Sequence, residues 1–221
     1  LPVDVAQQKF VESGKYAVRL ASGKTREIDV ELPAPLKIDG PWQVAFDTKR
    51  GGPGNISFDR LEDWSQRPED GIKYYSGTAT YHTTFQSPQG TGSQKLELDL
   101  GRVEVIADVT LNGKPIGTAW KQPYRLDVTA AIVPGENQLE VKVANLWVNR
   151  QIGDELLPED SDRNANGTLK SWPTWLAAGE VSPTGRYTFT SWRLWKKEDS
   201  LTRSGLLGPV TIRAVKPLSN D

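Results

Sequence analysis

Apolar and polar residues alternate along most of this chain, and glycine- and proline-rich turns break the alternation into short runs. A period of two sends successive side chains to opposite faces of an extended strand, and it cannot keep an apolar stripe on a helix. "PWQVAFD" puts Trp42, Val44 and Phe46 on one face, and "QKLELDLG" does the same with Leu96, Leu98 and Leu100. "KYAVRL", "REIDVEL", "VEVIADVTL", "NQLEVKVA", "RYTFTSWRLW" and "GPVTIRAV" repeat the pattern, and "NGK" after Leu111 is a hairpin signal. Heptads, internal repeats and long amphipathic helices are missing from the pattern. With 20 Gly and 15 Pro in 221 residues, these runs predict an all-β chain folded as an antiparallel β-sandwich.

The length and the 37% hydrophobic content suffice for one sizeable core, or one core with an appendage. Charge is balanced, 27 basic against 28 acidic residues, so no basic face is forced and nucleic acid is not an expected partner. No apolar run is long enough to span a bilayer. The sequence begins at Leu1, without Met or a recognisable signal peptide, which is expected of a piece of a longer protein. The lack of cysteine excludes disulfides, thiolate zinc sites and cysteine nucleophiles. The single histidine, His82 in "TATYHTTF", reads as a partly exposed strand residue and argues against histidine-based metal sites and triads.

Regularity fails between residues 150 and 185, a stretch rich in Pro, Gly, Asn and Asp. Long irregular loops in compact domains are uncommon and often functional. A short helical turn is expected near Leu61–Trp64, in the least strand-like part of the first half.

The irregular stretch opens with "NLWVNRQIGDE", where strand alternation runs through Val141 and Val143 and then carries Asn145, Trp147 and Asn149 on one parity towards a sandwich rim. Rim loops commonly carry binding function. Trp147, Trp172 and Trp175 are balanced between core packing and stacking on sugar C–H faces; Trp120 and Tyr124 join them as carbohydrate candidates, while Trp42 and Trp192 are read as core. Asn149, Arg150 and Asp154 are polar candidates beside them. Arg150 and Asp154 read equally well as a structural ion pair that pins the loop. Asp154, Glu155, Glu159, Asp160 and Asp162 crowd one loop, but acidic surface loops are ordinary and no nucleophile motif, phosphate loop or dinucleotide fingerprint accompanies them. "DRNANG" matches the first half of a calcium loop through Asp162, Asn164 and Asn166. Pro173 then stands where the bidentate glutamate belongs, so a polar turn is the reading and structural Ca²⁺ the weaker alternative.

The ordered set "GPWQVAF", "WSQRPEDGIKYYSGTATYHTTF", "LDLGRVEVIADVTLNGKPIGTAWKQPYRLDVT", "PGENQLEVKVANLWVNRQIGDE", "WPTWL" and "SGLLGPVTI" resembles the galactose-binding-like jelly roll of large glycoside hydrolases. "LNGKPIG" followed by "PYRLDVT" is similar to the sugar-binding domain of family-two enzymes. The fuller set resembles the C-terminal region of the α-L-rhamnosidase-like enzymes of family one hundred and six. The resemblance covers roughly residues 36–215. It implies an eight-stranded jelly roll over residues 34–221, preceded by lead-in strands or the end of another β-domain over residues 1–33. It also implies that catalysis lies on a (β/α)-barrel elsewhere in a parent enzyme, since nothing here alternates β with α over the ~200 residues a barrel takes. The resemblance further implies a non-catalytic ancillary role: contact with carbohydrate (a plant polysaccharide or other glycan) or packing on the parent's catalytic domain. Asn149, Arg150 and Asp154 match its motif and are where a rim loop lent to a neighbouring site would lie. An exported bacterial protein, secreted or periplasmic, is expected. An autonomous carbohydrate-binding module and a purely structural spacer remain the alternatives.

Overall fold

The computed structural model describes residues 2–19, 23–90, 92 and 94–218. Sixteen strands occur among them. In chain order they are β1 (Val3–Asp4), β2 (Lys9–Phe10), β3 (Gly14–Arg19), β4 (Thr25–Val30), β5 (Leu36–Lys37), β6 (Trp42–Phe46), β7 (Asn55–Phe58) and β8 (Thr78–Gln86). Then follow β9 (Lys95–Asp99), β10 (Arg102–Glu104), β11 (Ile106–Leu111), β12 (Lys114–Ala119), β13 (Arg125–Asp127), β14 (Glu136–Ala144), β15 (Gly205–Gly208) and β16 (Thr211–Pro217). Three short helices punctuate them: α1 (Asp70–Lys73), α2 (Val148–Asp154) and α3 (Thr174–Ala177).

The strands form an antiparallel β-sandwich. One sheet has the order β12-β11-β14-β8-β6-β7; the other runs β1-β2-β16-β9-β13, with β5 also on β16. The alternation of the sequence is the alternation of burial: β8 and β14 each bury every second residue. Trp42, Val44, Phe46, Tyr81, Val109, Leu111, Leu139, Val141 and Val143 from the first sheet meet Leu96, Leu98, Ile212 and Ala214 from the second in one core. The hairpin turn after β11 puts Asn112 and Gly113 at φ 53° and 75°, left-handed conformations that suit "NG".

The core has an aromatic centre. Trp64 stacks on Tyr81 with centroids 6.3 Å apart, and Phe46 and Tyr75 meet Trp64 edge-on. Trp64 Nε1 donates to Tyr81 Oη at 2.6 Å, and the same oxygen accepts from Leu206 N at 3.1 Å. Trp42 is fully buried, as read from its strand, but its indole N–H finds no hydrogen-bond partner among the described residues.

Residues 1–33 are joined to the sandwich rather than set apart from it. β2 pairs with the end of β16, Lys9 ion-pairs with Glu97 of β9, and Val3–Asp4 completes that edge. β3 and β4 form a separate hairpin, whose turn at residues 20–22 lies outside the described residues.

Before β8, Asp70–Lys73 is helical, and the strand begins only at Thr78. Two expectations need correction. The irregular stretch extends beyond residue 185 to Ser204, and "RYTFTSWRLW" forms no strand. Its alternation is spent on polar contacts instead. Arg186 binds Glu155 and the carbonyls of Leu157 and Pro158, while Arg193 binds Glu155 and Glu159. Trp192, expected in the core, is 57% exposed and donates its N–H to Asn166 O at 3.0 Å.

Candidate functional site

The register of the first sheet brings Ala119, Ile106 and Ala107, Ala144 and Thr78 to one end. The chain leaves this end at Asn145, and here it abandons the strand. Val148 starts α2, so residues 145, 147 and 149 do not share a face. Trp147 points out, 58% exposed, whereas Asn149 is fully buried.

Asn149 and Asp154 of α2, and Asn145 just before it, turn inward and hold neighbouring loops. Asn145 Oδ1 accepts from Gly77 N, and its Nδ2 donates to Tyr75 O. Asn149 donates to Thr202 O at 2.7 Å and to Ser204 Oγ, and accepts from Thr202 N at 2.8 Å. Asp154 Oδ2 accepts from Tyr187 N, Thr188 N and Thr188 Oγ1. Gly153 lets the helix sit on Tyr74: a Cβ there would come within 2.6 Å of the ring. Asn149 and Asp154 are therefore clasps for the excursion from Glu155 to Ser204.

Arg150 is different. It lies on the same buried face, 3.9 Å from Asp154 Oδ1, with its guanidinium 4.7 Å from the centroid of Tyr187. It makes no hydrogen bond among the described residues, and its Nε and Nη2 are buried without partners. Burial pushes its pKa down and the Asp154 charge pulls it back up. Arg150 lines a cavity of about 560 Å³ that opens at the sheet end. Trp147 and Tyr187 border this cavity, and Lys49, Arg50 and Asp47 reach it from the turn after β6. Tyr187, 51% exposed, stands against Gly51, whose φ of 76° and missing Cβ admit the ring. Tyr75 closes the floor: Asp47 N donates to its hydroxyl, which in turn donates to Thr78 O at 2.9 Å.

The other aromatic candidates part company. Trp120 stands at the same sheet end, 62% exposed, with Lys121 Nζ 5.2 Å from its centroid, but it does not border the cavity. Tyr124 is a correction: it is packed into the core just before β13, where its carbonyl accepts from Leu100 N at 2.9 Å. Trp172 and Trp175 both pack on Phe189, each at 5.8 Å, in a small cluster of the excursion. Trp175 is half-buried and bonds Asp160 O through its indole, whereas Trp172 is 67% exposed.

The acidic cluster forms no free carboxylate pair. Glu155 and Glu159 are held by Arg186 and Arg193, Asp160 accepts from Ser182, and Arg193 holds the Glu159 carboxyl below its usual range. In the calcium-like turn, Asn166 Oδ1 accepts from Thr168 N and Oγ1, Asn164 donates to Thr168 Oγ1, and Lys170 N closes on Asp162 O. Among the described residues no three carboxylates or histidines gather around a metal-sized space. Asp162 is the one carboxylate of that turn.

Residues 64–170 match the model of the family described as glycosyl hydrolase 2 galactose-binding domain-like. The chain carries a galactose-binding-like domain of the glycoside hydrolases. It is similar to the solved rhamnosidase of Novosphingobium sp. PP1Y, with 35% identity over 89% of this chain and a TM-score of 0.69. It is 49% identical over 205 residues to a protein of Formosa agariphila that bears the provisional name beta-glucuronidase. A beta-glucuronidase from an uncultured Clostridium sp., at 20% identity over 86% of this chain and a TM-score of 0.54, shares the fold. The chain spans 16% of the Novosphingobium enzyme and 18% of the Formosa protein.

The residues that sequence reasoning missed are Lys49, Arg50 and Tyr187. Each sits some tens of residues or more from α2 in the chain, and no local pattern marks them; β6–β8 pairing and the Asp154 clasp bring them together.

Proposed function

We propose that this domain is a non-catalytic ancillary part of a larger, α-L-rhamnosidase-like glycoside hydrolase, which contacts carbohydrate at the Trp147–Tyr187 rim and packs beside its parent's catalytic domain. The observation that carries this reading is the cavity at the sheet end, bordered by two half-exposed aromatic rings. Aromatic faces stack on sugar C–H surfaces, and concave sites of this size suit small ligands. A non-catalytic role is supported by the arginine-held carboxylates of the excursion, which leave no pair poised as acid and base. The rhamnosidase-like reading is supported by the likeness to the Novosphingobium enzyme across nearly the whole chain. Packing on the parent is supported by Trp172, Leu194 and Val181, apolar side chains 67%, 62% and 88% exposed on one excursion. A polysaccharide substrate, met outside the cytoplasm, supports a secreted or periplasmic bacterial protein.

A glycan-array screen of the chain, with and without Ca²⁺ and including rhamnose- and galactose-containing pectins, tests the carbohydrate contact. Specific binding that disappears in a folded Trp147→Ala variant is the expected result. Hydrolysis of a rhamnoside by the chain alone would overturn the non-catalytic reading.

A further inference from the structure

The cavity beside α2 has in its wall a buried cation answered by one ion pair at 3.9 Å and the face of Tyr187, but by no hydrogen bond among the described residues. Arg150 is nine-tenths buried and lines the cavity, yet its guanidinium donates no hydrogen bond to the described residues. Its nearest counter-charge, Asp154, stands 3.9 Å away and spends its other oxygen on Tyr187 and Thr188. A buried cation in this condition is costly unless something else accepts from it. Lys49 and Arg50 add two cations to the same lining, against the single carboxylate of Asp47. The Arg50 side chain is 57% exposed and only loosely paired with Asp47, at 3.7 Å.

We propose that this cavity takes an acidic sugar, a hexuronate residue whose carboxylate is received by Arg150 with Arg50 and Lys49, and whose ring lies between Trp147 and Tyr187. The proposal rests on the carbohydrate reading of this rim and names the class of sugar. Arg150 Nε and Nη2 are enclosed, so Arg150 meets the cavity through Nη1 and its charge, while the exposed Arg50 guanidinium supplies the fork that matches a carboxylate; charge-assisted hydrogen bonds of this kind are the strong ones. A neutral sugar offers hydroxyls to the aromatic walls but leaves the excess positive charge in place. An inorganic anion answers the charge but fills little of about 560 Å³ and uses neither ring. An acidic sugar uses both halves of the site.

The test is titration calorimetry of the chain with D-glucuronate and D-galacturonate, their neutral partners D-glucose and D-galactose, and sodium acetate. Wild type is compared with Arg150→Lys, Arg50→Gln and Trp147→Ala, each checked for folding by circular dichroism. The expected result is that one uronate binds about tenfold or more tightly than its neutral partner and than acetate. Arg50→Gln, at a side chain 57% exposed and outside the core, weakens the uronate several-fold, and added salt does the same. Arg150→Lys weakens it further, because an ammonium cannot keep the planar stack on Tyr187 that holds Nη1 at the cavity. If Arg150→Lys does not fold, Arg50→Gln and the salt dependence decide. Equal binding of uronate and neutral sugar, with Trp147→Ala abolishing both, would overturn the acidic preference and leave the carbohydrate reading standing. Acetate binding as tightly as uronate would reduce the site to a simple anion hole. No binding of any sugar would overturn both readings of this rim and turn attention to a carboxylate side chain of the parent enzyme.

Discussion

The side-chain amide of Asn149 and the backbone of Thr202 are joined by a reciprocal pair of hydrogen bonds, 2.7 Å and 2.8 Å long, as two strand residues would be. One side chain thus stands in for a neighbouring strand and ties the end of the excursion to its beginning. The Thr202 hydroxyl adds a third bond at 3.0 Å.

Replacing Asn149 by alanine takes the partner from Thr202 N and the nearer donor from Thr202 O, though Thr202 is exposed and its carbonyl keeps Ser204 Oγ at 3.4 Å. At about 1 kcal/mol for each hydrogen bond lost, a loss of roughly 1–3 kcal/mol is expected. Urea denaturation checks it. A midpoint unchanged within error would mean that water or rearrangement replaces the clasp.

Asp154→Ala removes the acceptor for Tyr187 and Thr188 and also strips Arg150 of its nearest counter-charge. Removal of one partner of a buried pair costs about 3–5 kcal/mol, so this variant is expected among the most destabilised. Asp154→Asn keeps an oxygen for the loop and loses the charge, and should fall between it and wild type. Equal stability of the two variants would show that the carboxylate charge contributes nothing.

Alkaline pH should weaken the fold through its core tyrosines. Burial pushes the Tyr81 phenol above the ordinary tyrosine range, and Tyr75 shifts in the same direction for the same reason. A raised folded-state pKa means that the stabilisation is fully present below the unfolded value of about 10 and is lost as pH rises above it. Each such group contributes a slope of up to about 1.4 kcal/mol per pH unit in that window. Stability followed from pH 8 to 11.5 should therefore fall, and Tyr81→Phe, already less stable because Trp64 and Leu206 lose their acceptor, should fall less steeply.

Chelation should leave the melting temperature where it is. The turn at Asp162, Asn164 and Asn166 is closed by Thr168 and Lys170, and it supplies one carboxylate where calcium loops supply several. A melting curve that drops with EDTA and recovers with millimolar Ca²⁺ would instead establish a metal in this chain.

Much of the sandwich was legible because alternation and burial are the same pattern seen twice: Trp42, Val44 and Phe46 lie in the core where their parity put them. The same logic misplaced Trp192, because alternation in "RYTFTSWRLW" has arginine partners waiting on Glu155 and Glu159 and never meets a strand edge. At the opening of the excursion, parity grouped Trp147 with Asn149, and the strand's early end at Ala144 separated them. The stretch was rightly singled out. Whether its polar residues clasp protein or face the cavity depends on where one helical turn begins, which no local pattern fixes. Lys49 and Arg50 were out of reach for a different reason: they enter the site through sheet pairing across the fold.

The pairing of β2 with β16 brings Leu218 N to Gln8 O at 2.7 Å. The polypeptide thus enters and leaves the sandwich through neighbouring doors on one edge. Gln8 and Leu218, near opposite ends of the described residues, are held by one seam, and whatever loosens that seam frees both together.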